Sequence, residues 1–419
     1  MNKNKYIKQQ NNDLELYCGI MLIPLVFCAI ANYTFVSFFG GYILFGVYMF
    51  SFVCLLIFNR RQKNNNFDMK ALLAFLSFEL VYFFAIVSSR NTDAIFGIMF
   101  FSIAVLYAFG VLYNETNFKM MKYISIIFLI SITVTVVLSV KVLIEQPGAS
   151  RILASKNFDV YGRGALLKQG LAGFGITYSL IFLIPVFIYW LKYIKKKIFL
   201  ILLLVLVSLN IILSGYTTAF LLGVLAICLY LFTKLNGHAK FFVVIFSLFL
   251  VVFQSYFLPD FFYYIADLFG SEKMSEHLVE IADILAGKSS IFDLGRVDLL
   301  KQSWEAFLSN PIFGVISSGE ISEVGGHSTF FDILGTIGLV GIVPYCIFLR
   351  FFHNQVKKQI KNPMAKKIWT IESVIFFALQ ILNPILSNYE IVYSYMCIVP
   401  AILFYIEMLG EQQIEACTD

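Results

Sequence analysis

From Leu16 to Leu409 the chain is built largely from runs of about twenty mostly apolar residues, and this constrains its fold more than any other feature. A segment of that length can cross a bilayer only as a helix here, because hydrocarbon offers no partner for an unpaired backbone N–H or C=O. Counting such runs gives about twelve: Leu16–Val36, Gly40–Phe58, Ala71–Ser89, Ala94–Tyr113, Met121–Ile144, Leu171–Leu191, Ile198–Leu213, Thr217–Thr233, Phe241–Leu258, Thr329–Phe352, Ile368–Ser387 and Ile391–Leu409. Apolar residues make up 59% of the 419 and charged residues only 14%, far from the balance of a water-soluble domain. The expected fold is therefore an all-α polytopic membrane protein, a single membrane domain over 1–419.

Cationic residues favour the cytoplasmic side of short loops. With the N-terminus inside, most of the 31 lysines and arginines fall there, including Arg60, Arg61, the run Lys195-Lys196-Lys197 and the cluster Lys357, Lys358, Lys361, Lys366 and Lys367. Both termini are then cytoplasmic. Ala29-Ile30-Ala31 resembles a signal-peptidase site, but apolar character continues through Val36, which reads as an uncleaved anchor.

Two long segments remain outside. The first, 145–170, is basic: Arg151, Lys156, Arg163 and Lys168 stand against Glu145 and Asp159. A basic external loop calls either for an anionic partner near the outer face or for contact with lipid headgroups. The second, 259–328, reads as a folded lid with two amphipathic helices. In the first, Met274, Leu278, Ile281 and Leu285 recur at helical spacing, with Ser271 as a cap and Gly287 as a stop. The other starts near Arg296, carries Val297, Leu300, Trp304 and Phe307 on one side, and ends at Asn310-Pro311.

Several functions are excluded or disfavoured. None of the seven cysteines lies in the external loops, so no disulfide or cysteine metal site is expected there. No phosphate-cradling G-x-x-x-x-G-K-[ST] occurs, and the charge of +5 is accounted for by inside loops meeting anionic lipid, without nucleic acid.

His327 is one of four histidines and sits at the outer mouth of the tenth span, after Gly325-Gly326 and before Ser328 and Thr329, either of which could cap the helix. An imidazole there can exchange a proton with a substrate hydroxyl, or simply hydrogen-bond at the interface. Asp332 is five residues on, about 140° around an ideal helix, an angle that does not make it the orienting carboxylate. Gly335, Gly338 and Gly341 form a stripe of small residues suited to close backbone packing. Glu79, mid-way along the third span, is read either as a structural partner or as part of a substrate groove. Tyr161 and Trp304 could stack on sugar rings, and Trp304 also fits the apolar face of its own helix.

His327-Ser328, nine residues, then Gly338-Leu339-Val340-Gly341 resembles the H-[NSQ]-x9-G-x-x-G signature of the O-antigen ligase and polymerase superfamily. Arg296, Trp304, Asn310-Pro311 and Gly314 are similar to the stretch those proteins carry before it. Arg151, ten residues, then Gly162 is similar to an R-x10-G element of Wzy-type polysaccharide polymerases; Arg296 does not repeat that spacing, since Phe307 stands where the glycine would.

The resemblance implies a GT-C-like helical fold and a metal-independent glycosyltransferase without cofactor. It would polymerise polyprenyl-diphosphate-linked repeat units, such as those on undecaprenyl diphosphate, for a capsule, O-antigen or exopolysaccharide. The resemblance also implies, as partners, a chain-length regulator and flippase of the same pathway. Arg151, Arg296 and His327 are the candidate catalytic residues, with Arg163, Lys168, Tyr161 and Trp304 binding substrate. Guanidinium groups suit the role because they grip diphosphate oxygens in pairs and stay charged when partly desolvated. Two alternatives stay open: a ligase transferring the glycan to a lipid or protein acceptor, and a glycolipid flippase or other transporter.

Overall fold

A computed structural model describes residues 69–418 apart from 90–91, 114–117, 155–159, 195–196, 253, 269–271, 290–294, 318–323 and 387. The first two expected spans, the Ala29-Ile30-Ala31 site and the Ser271 cap lie outside the described residues. Within them, all regular structure is helical. The helices are α1 (Met69–Ser89), α2 (Thr92–Tyr113), α3 (Phe118–Glu145), the short α4 (Ala149–Ala154) and α5 (Val160–Lys168), then α6 (Phe174–Trp190), α7 (Lys197–Leu213) and α8 (Thr217–Lys234). After these come α9 (Gly237–Val252), α10 (Gln254–Leu268), α11 (Glu272–Leu285), α12 (Gly295–Ser309), α13 (Thr329–Gln359), α14 (Pro363–Leu382), α15 (Tyr389–Tyr393) and α16 (Val399–Thr418). A π turn over Ser394–Ile398 joins the last two.

Among the described residues five helices are long and apolar enough to cross a membrane: Met69–Val87, Phe118–Glu145, Thr217–Lys234, Thr329–Gln359 and Tyr389–Gln412. Shorter apolar helices include Phe174–Trp190 and Lys197–Leu213. The chain is thus consistent with a multi-pass membrane protein.

Helices that are apolar on every side belong in the middle of such a bundle. The C-terminal span is 89% buried within the protein and α6 is buried along nearly its whole length, whereas the Met69–Val87 span is only 28% buried. α1 turns Leu73, Leu76, Leu80 and Phe84 outward and packs its other side along α13, where Phe75 meets Phe348 at 5.3 Å and Phe78 meets Tyr345 at 4.7 Å. At the centre, Phe376, Tyr395 and Trp369 form a stack with ring separations of 3.9 and 4.8 Å, continued by His353. The π turn carries Tyr395 into that stack, and Ser373 links its hydroxyl to the His353 ring. His353 is thereby partly built into the core.

Contacts at the helix ends sort the connecting segments into two groups. At one end Ser139 Oγ accepts from Asn210 Nδ2 and from the Ala172 N–H, Tyr216 donates to Ser150 O, and Thr329 is bonded to Asn383 and Ile385. At the other, Gln359 donates to Leu112 O, the N–H groups of Lys361 and Asn362 donate to Glu407, and Lys361 pairs with Glu411 at 3.0 Å. The turn Ser214-Gly215-Tyr216 between α7 and α8 is as tight as expected, with Gly215 at φ +68°.

The segment 145–170 is folded more than its loop-like sequence suggests. Leu153, Leu166 and Leu171 bury against Val142 and Leu143 at the end of α3, with Leu213 of α7 alongside. Apolar side chains from both helices of this basic segment thus anchor it on α3.

The helical chain runs past the expected span Phe241–Leu258: α9 and α10 lie on either side of residue 253, and α10 continues to Leu268. Ala266 of α10 buries against Leu278 of α11, with Phe220 of α8 beside them, so α11 lies on protein rather than on open membrane. Its end is a Schellman motif: Lys288 N–H reaches Asp283 O, Gly287 N–H reaches Ile284 O, and Gly287 sits at φ +71°. Tyr263 donates to Asp283 and accepts from Lys288 Nζ at 2.9 Å, clamping α10 to α11.

Candidate functional site

The segment from Val324 to Ser328 runs between α12 and the start of α13. Ser328 is the N-cap of α13: its hydroxyl accepts from the Phe331 N–H at 3.3 Å and donates to Gln380 O at 3.2 Å. Thr329 follows it into the core, with its own N–H on Asn383 O and its hydroxyl accepting from the Ile385 N–H at 2.6 Å. Ser328 and Thr329 are both buried, so the second motif position fastens the histidine to the end of α14.

One carboxylate organises the backbone on either side of His327. Asp332 Oδ2 accepts from Ser328 N–H at 2.9 Å, and Oδ1 accepts from Gly326 N–H at 3.2 Å. Oδ1 also receives the Ser303 hydroxyl of α12 at 2.7 Å, and Ser303 Oγ accepts from Gly325 N–H at 3.1 Å. The His327 imidazole lies close enough to interact with the same carboxylate.

This corrects the expectation drawn from the 140° angle. That angle assumes His327 is helical, but the helix begins at Thr329, and the residues before it curl back over the first turn. A capping box pairs an N-cap serine with an acid at the third helical position. Here the acid stands at the fourth, and that displaced signature is the sequence cue that could have found it.

α12 is thereby joined to the motif at its histidine end. It is joined at the glycine end as well. Gly338 adopts φ 58°, ψ −152° and breaks α13. The Leu339 and Val340 N–H groups, which lose their helical acceptors at the break, bond to Pro311 O at 2.9 Å and Ile312 O at 3.1 Å. A β-carbon on Gly338 would lie 2.5 Å from Ile312 O, and one on Gly335 would lie 2.8 Å from Ser303 O. Gly314, at φ +60°, presses in turn on the Gly335–Ile337 backbone. The stripe of small residues therefore admits the lid, whereas Gly341 meets only the Ile337 side chain.

The candidate residues are positioned as follows. His327 is exposed on this braced loop. Arg296 is in the first turn of α12, with Leu299 and Ser303, which touch the histidine loop, one and two turns further along. Trp304 is 42% exposed, with its ring 5.1 Å from Phe307 and 6.3 Å from Phe331, so it packs on one side only. Arg151 lies on α4, and Tyr161, Arg163 and Lys168 on α5; Lys168 is exposed in the last turn. The side chains of Arg151, Tyr161, Arg163 and Arg296 lie outside the described residues. α4 is tied to the α7–α8 turn through Ser150 and Tyr216, at the same end of the bundle as His327.

Around the site the lid carries its own charges. The Tyr263 hydroxyl bonded to its ammonium, together with Asp283, holds Lys288 above the usual lysine range, so it stays cationic. His277 pairs with Glu280 on α11 at 2.8 Å and is directed to that carboxylate. Glu79 on α1 accepts the Ser102 hydroxyl of α2 at 2.7 Å.

Compared with protein-family models, curated proteins and solved structures, the chain matches none.

Proposed function

We propose that this protein is a membrane glycosyltransferase with twelve spans and both termini cytoplasmic. It polymerises polyprenyl-diphosphate-linked oligosaccharide units at the outer face of a bacterial inner membrane, in the manner of the O-antigen ligase and polymerase superfamily and its GT-C-like fold. The observation that carries this reading is the Asp332 clasp, which joins the His327 loop to the helix that bears Arg296. An imidazole on a braced loop beside a helix with an arginine in its first turn suits transfer between a hydroxyl and a diphosphate-linked sugar.

In the reaction, an acceptor sugar hydroxyl attacks the anomeric carbon of the donor glycan, the bond from that carbon to the diphosphate oxygen breaks, and lipid diphosphate leaves. His327 takes the hydroxyl proton. Arg151, Arg163 and Arg296, with Lys168, receive the charge that builds on the diphosphate, an interaction stronger in the transition state than before it. Tyr161 stacks on sugar. A single displacement inverts the anomeric centre.

The test uses cells lacking the protein, complemented with Arg151→Ala, Arg296→Ala or His327→Ala. Each variant is expected to express and to leave single units on lipid in place of a glycan ladder. Normal ladders from all three would end the assignment. Long chains stranded on the carrier would indicate a ligase, and units trapped on the cytoplasmic leaflet a flippase.

A further inference from the structure

We infer that residues 304–313 are a re-entrant segment whose Trp304, Leu308, Ile312 and Phe313 rest among the acyl chains of the outer leaflet. The inference does not depend on what His327 does.

Three observations converge on it. The first is the direction of α12: Ser303 meets Asp332 and Gly335, while Pro311 and Ile312 meet the backbone at Leu339 and Val340. The helix therefore follows α13 inward from its capped end, and its tip reaches the level of the break. From Arg296 to Ser309 it is about 20 Å long at 1.5 Å per residue, enough to carry the chain from the headgroup region into hydrocarbon.

A second observation is the state of the backbone at the tip. Non-helical chain survives in hydrocarbon only where its polar groups are satisfied by protein. Pro311 has no N–H, Phe313 N–H donates to Asn310 Oδ1 and Gly314 N–H donates to Asn310 O. The carbonyls of Pro311 and Ile312 accept from Leu339 and Val340.

The third is the surface. Leu308, Ile312 and Phe313 are each more than half exposed, and Ile312 is bonded to the backbone of Val340, which with Leu339 and Val343 is among the outward apolar residues of α13. That continuity with a membrane-crossing helix identifies the occupant as lipid. α12 has three sides: Ser303 and Ala306 are buried, Trp304 and Leu308 are apolar and open, and Lys301 pairs with Glu305 at 3.7 Å on a polar side. Protein, hydrocarbon and water each meet one of them, as at a membrane interface.

Tryptophan emission tests this in the intact protein, because Trp190 and Trp369 are buried in the core and Trp304 is the exposed one of the three. The protein is reconstituted in vesicles of phosphatidylcholine brominated at shallow or deep acyl positions, alongside Trp304→Phe. The emission lost to bromine is expected to fall several-fold in Trp304→Phe, and aqueous iodide should act weakly on Trp304. Adding Phe313→Trp to Trp304→Phe should restore bromine quenching with its maximum at a deeper position than for Trp304. Trp304 and the tryptophan introduced at Phe313 both quenched by iodide and not by bromine would overturn the inference. So would shielding of both from either quencher, which would put protein on this surface instead of lipid.

Discussion

Ser303 of the lid helix donates its hydroxyl proton to Asp332 at 2.7 Å, and the same carboxylate holds the N–H groups on both sides of His327. Lid position and histidine position are therefore one mechanical unit.

Ser303→Ala should loosen that unit. It removes the third bond to Asp332 and leaves the Gly325 N–H without its acceptor, at a cost of about 1–3 kcal/mol. Asp332→Asn should cost as much or more, because an amide NH2 must face a backbone N–H or the Ser303 hydroxyl. Both are expected to shorten or abolish the glycan ladder at normal expression, with Ser303→Thr recovering most of it. Ladders unchanged in both variants would show that the clasp is not needed for activity.

Gly338→Ala and Gly341→Ala should differ sharply. Gly338 has a backbone shape open almost solely to glycine, and a β-carbon there meets a carbonyl that cannot move without undocking the lid. The expected loss is about 1–3 kcal/mol from strain alone, with the clash added. At Gly341 the obstacle is the Ile337 side chain, which can change rotamer. Thermal unfolding in detergent should rank Gly338→Ala well below Gly341→Ala, and equal midpoints would contradict the docked break.

Tyr263→Phe tests the far half of the lid. The phenol bridges Asp283 and Lys288, and its loss should cost about 1 kcal/mol. Because α10 and α11 meet through a small apolar cluster, the effect should be local. Limited proteolysis is expected to cut faster within 269–290 while the global melting temperature moves little.

Glu79→Gln should be tolerated. The amide oxygen can still accept from Ser102, and the side chain keeps its size and shape. Unchanged or higher thermal stability with an intact ladder is the expected result; loss of the ladder at full stability would return Glu79 to the substrate path.

Much of the frame is legible from local pattern. Twenty-residue apolar runs, Gly287 as a helix stop, Asn310-Pro311 as the end of α12 and Ser328 as a cap each depend on neighbours within a turn or two. The same local logic misjudged Asp332, because the angle between two residues is defined only if both are in the helix. It also missed the later part of α10, which continues past the apolar run with Tyr263, Tyr264 and Asp267 on its surface, a mixed composition that hydropathy reads as loop.

By itself the sequence determined that the described spans are helical and where most of those helices start and stop, and it nominated residues that could carry a proton or grip an anion. These follow from backbone hydrogen bonding in hydrocarbon and from side chains acting within one or two turns. Only the tertiary structure decided that Gly338 breaks its helix, that Ser303 and Asp332 meet, and that the lid runs down beside α13. Each of these depends on carbonyls, hydroxyls or amides supplied by another segment, and a hydrogen bond between segments distant in the chain leaves no period in the sequence to read.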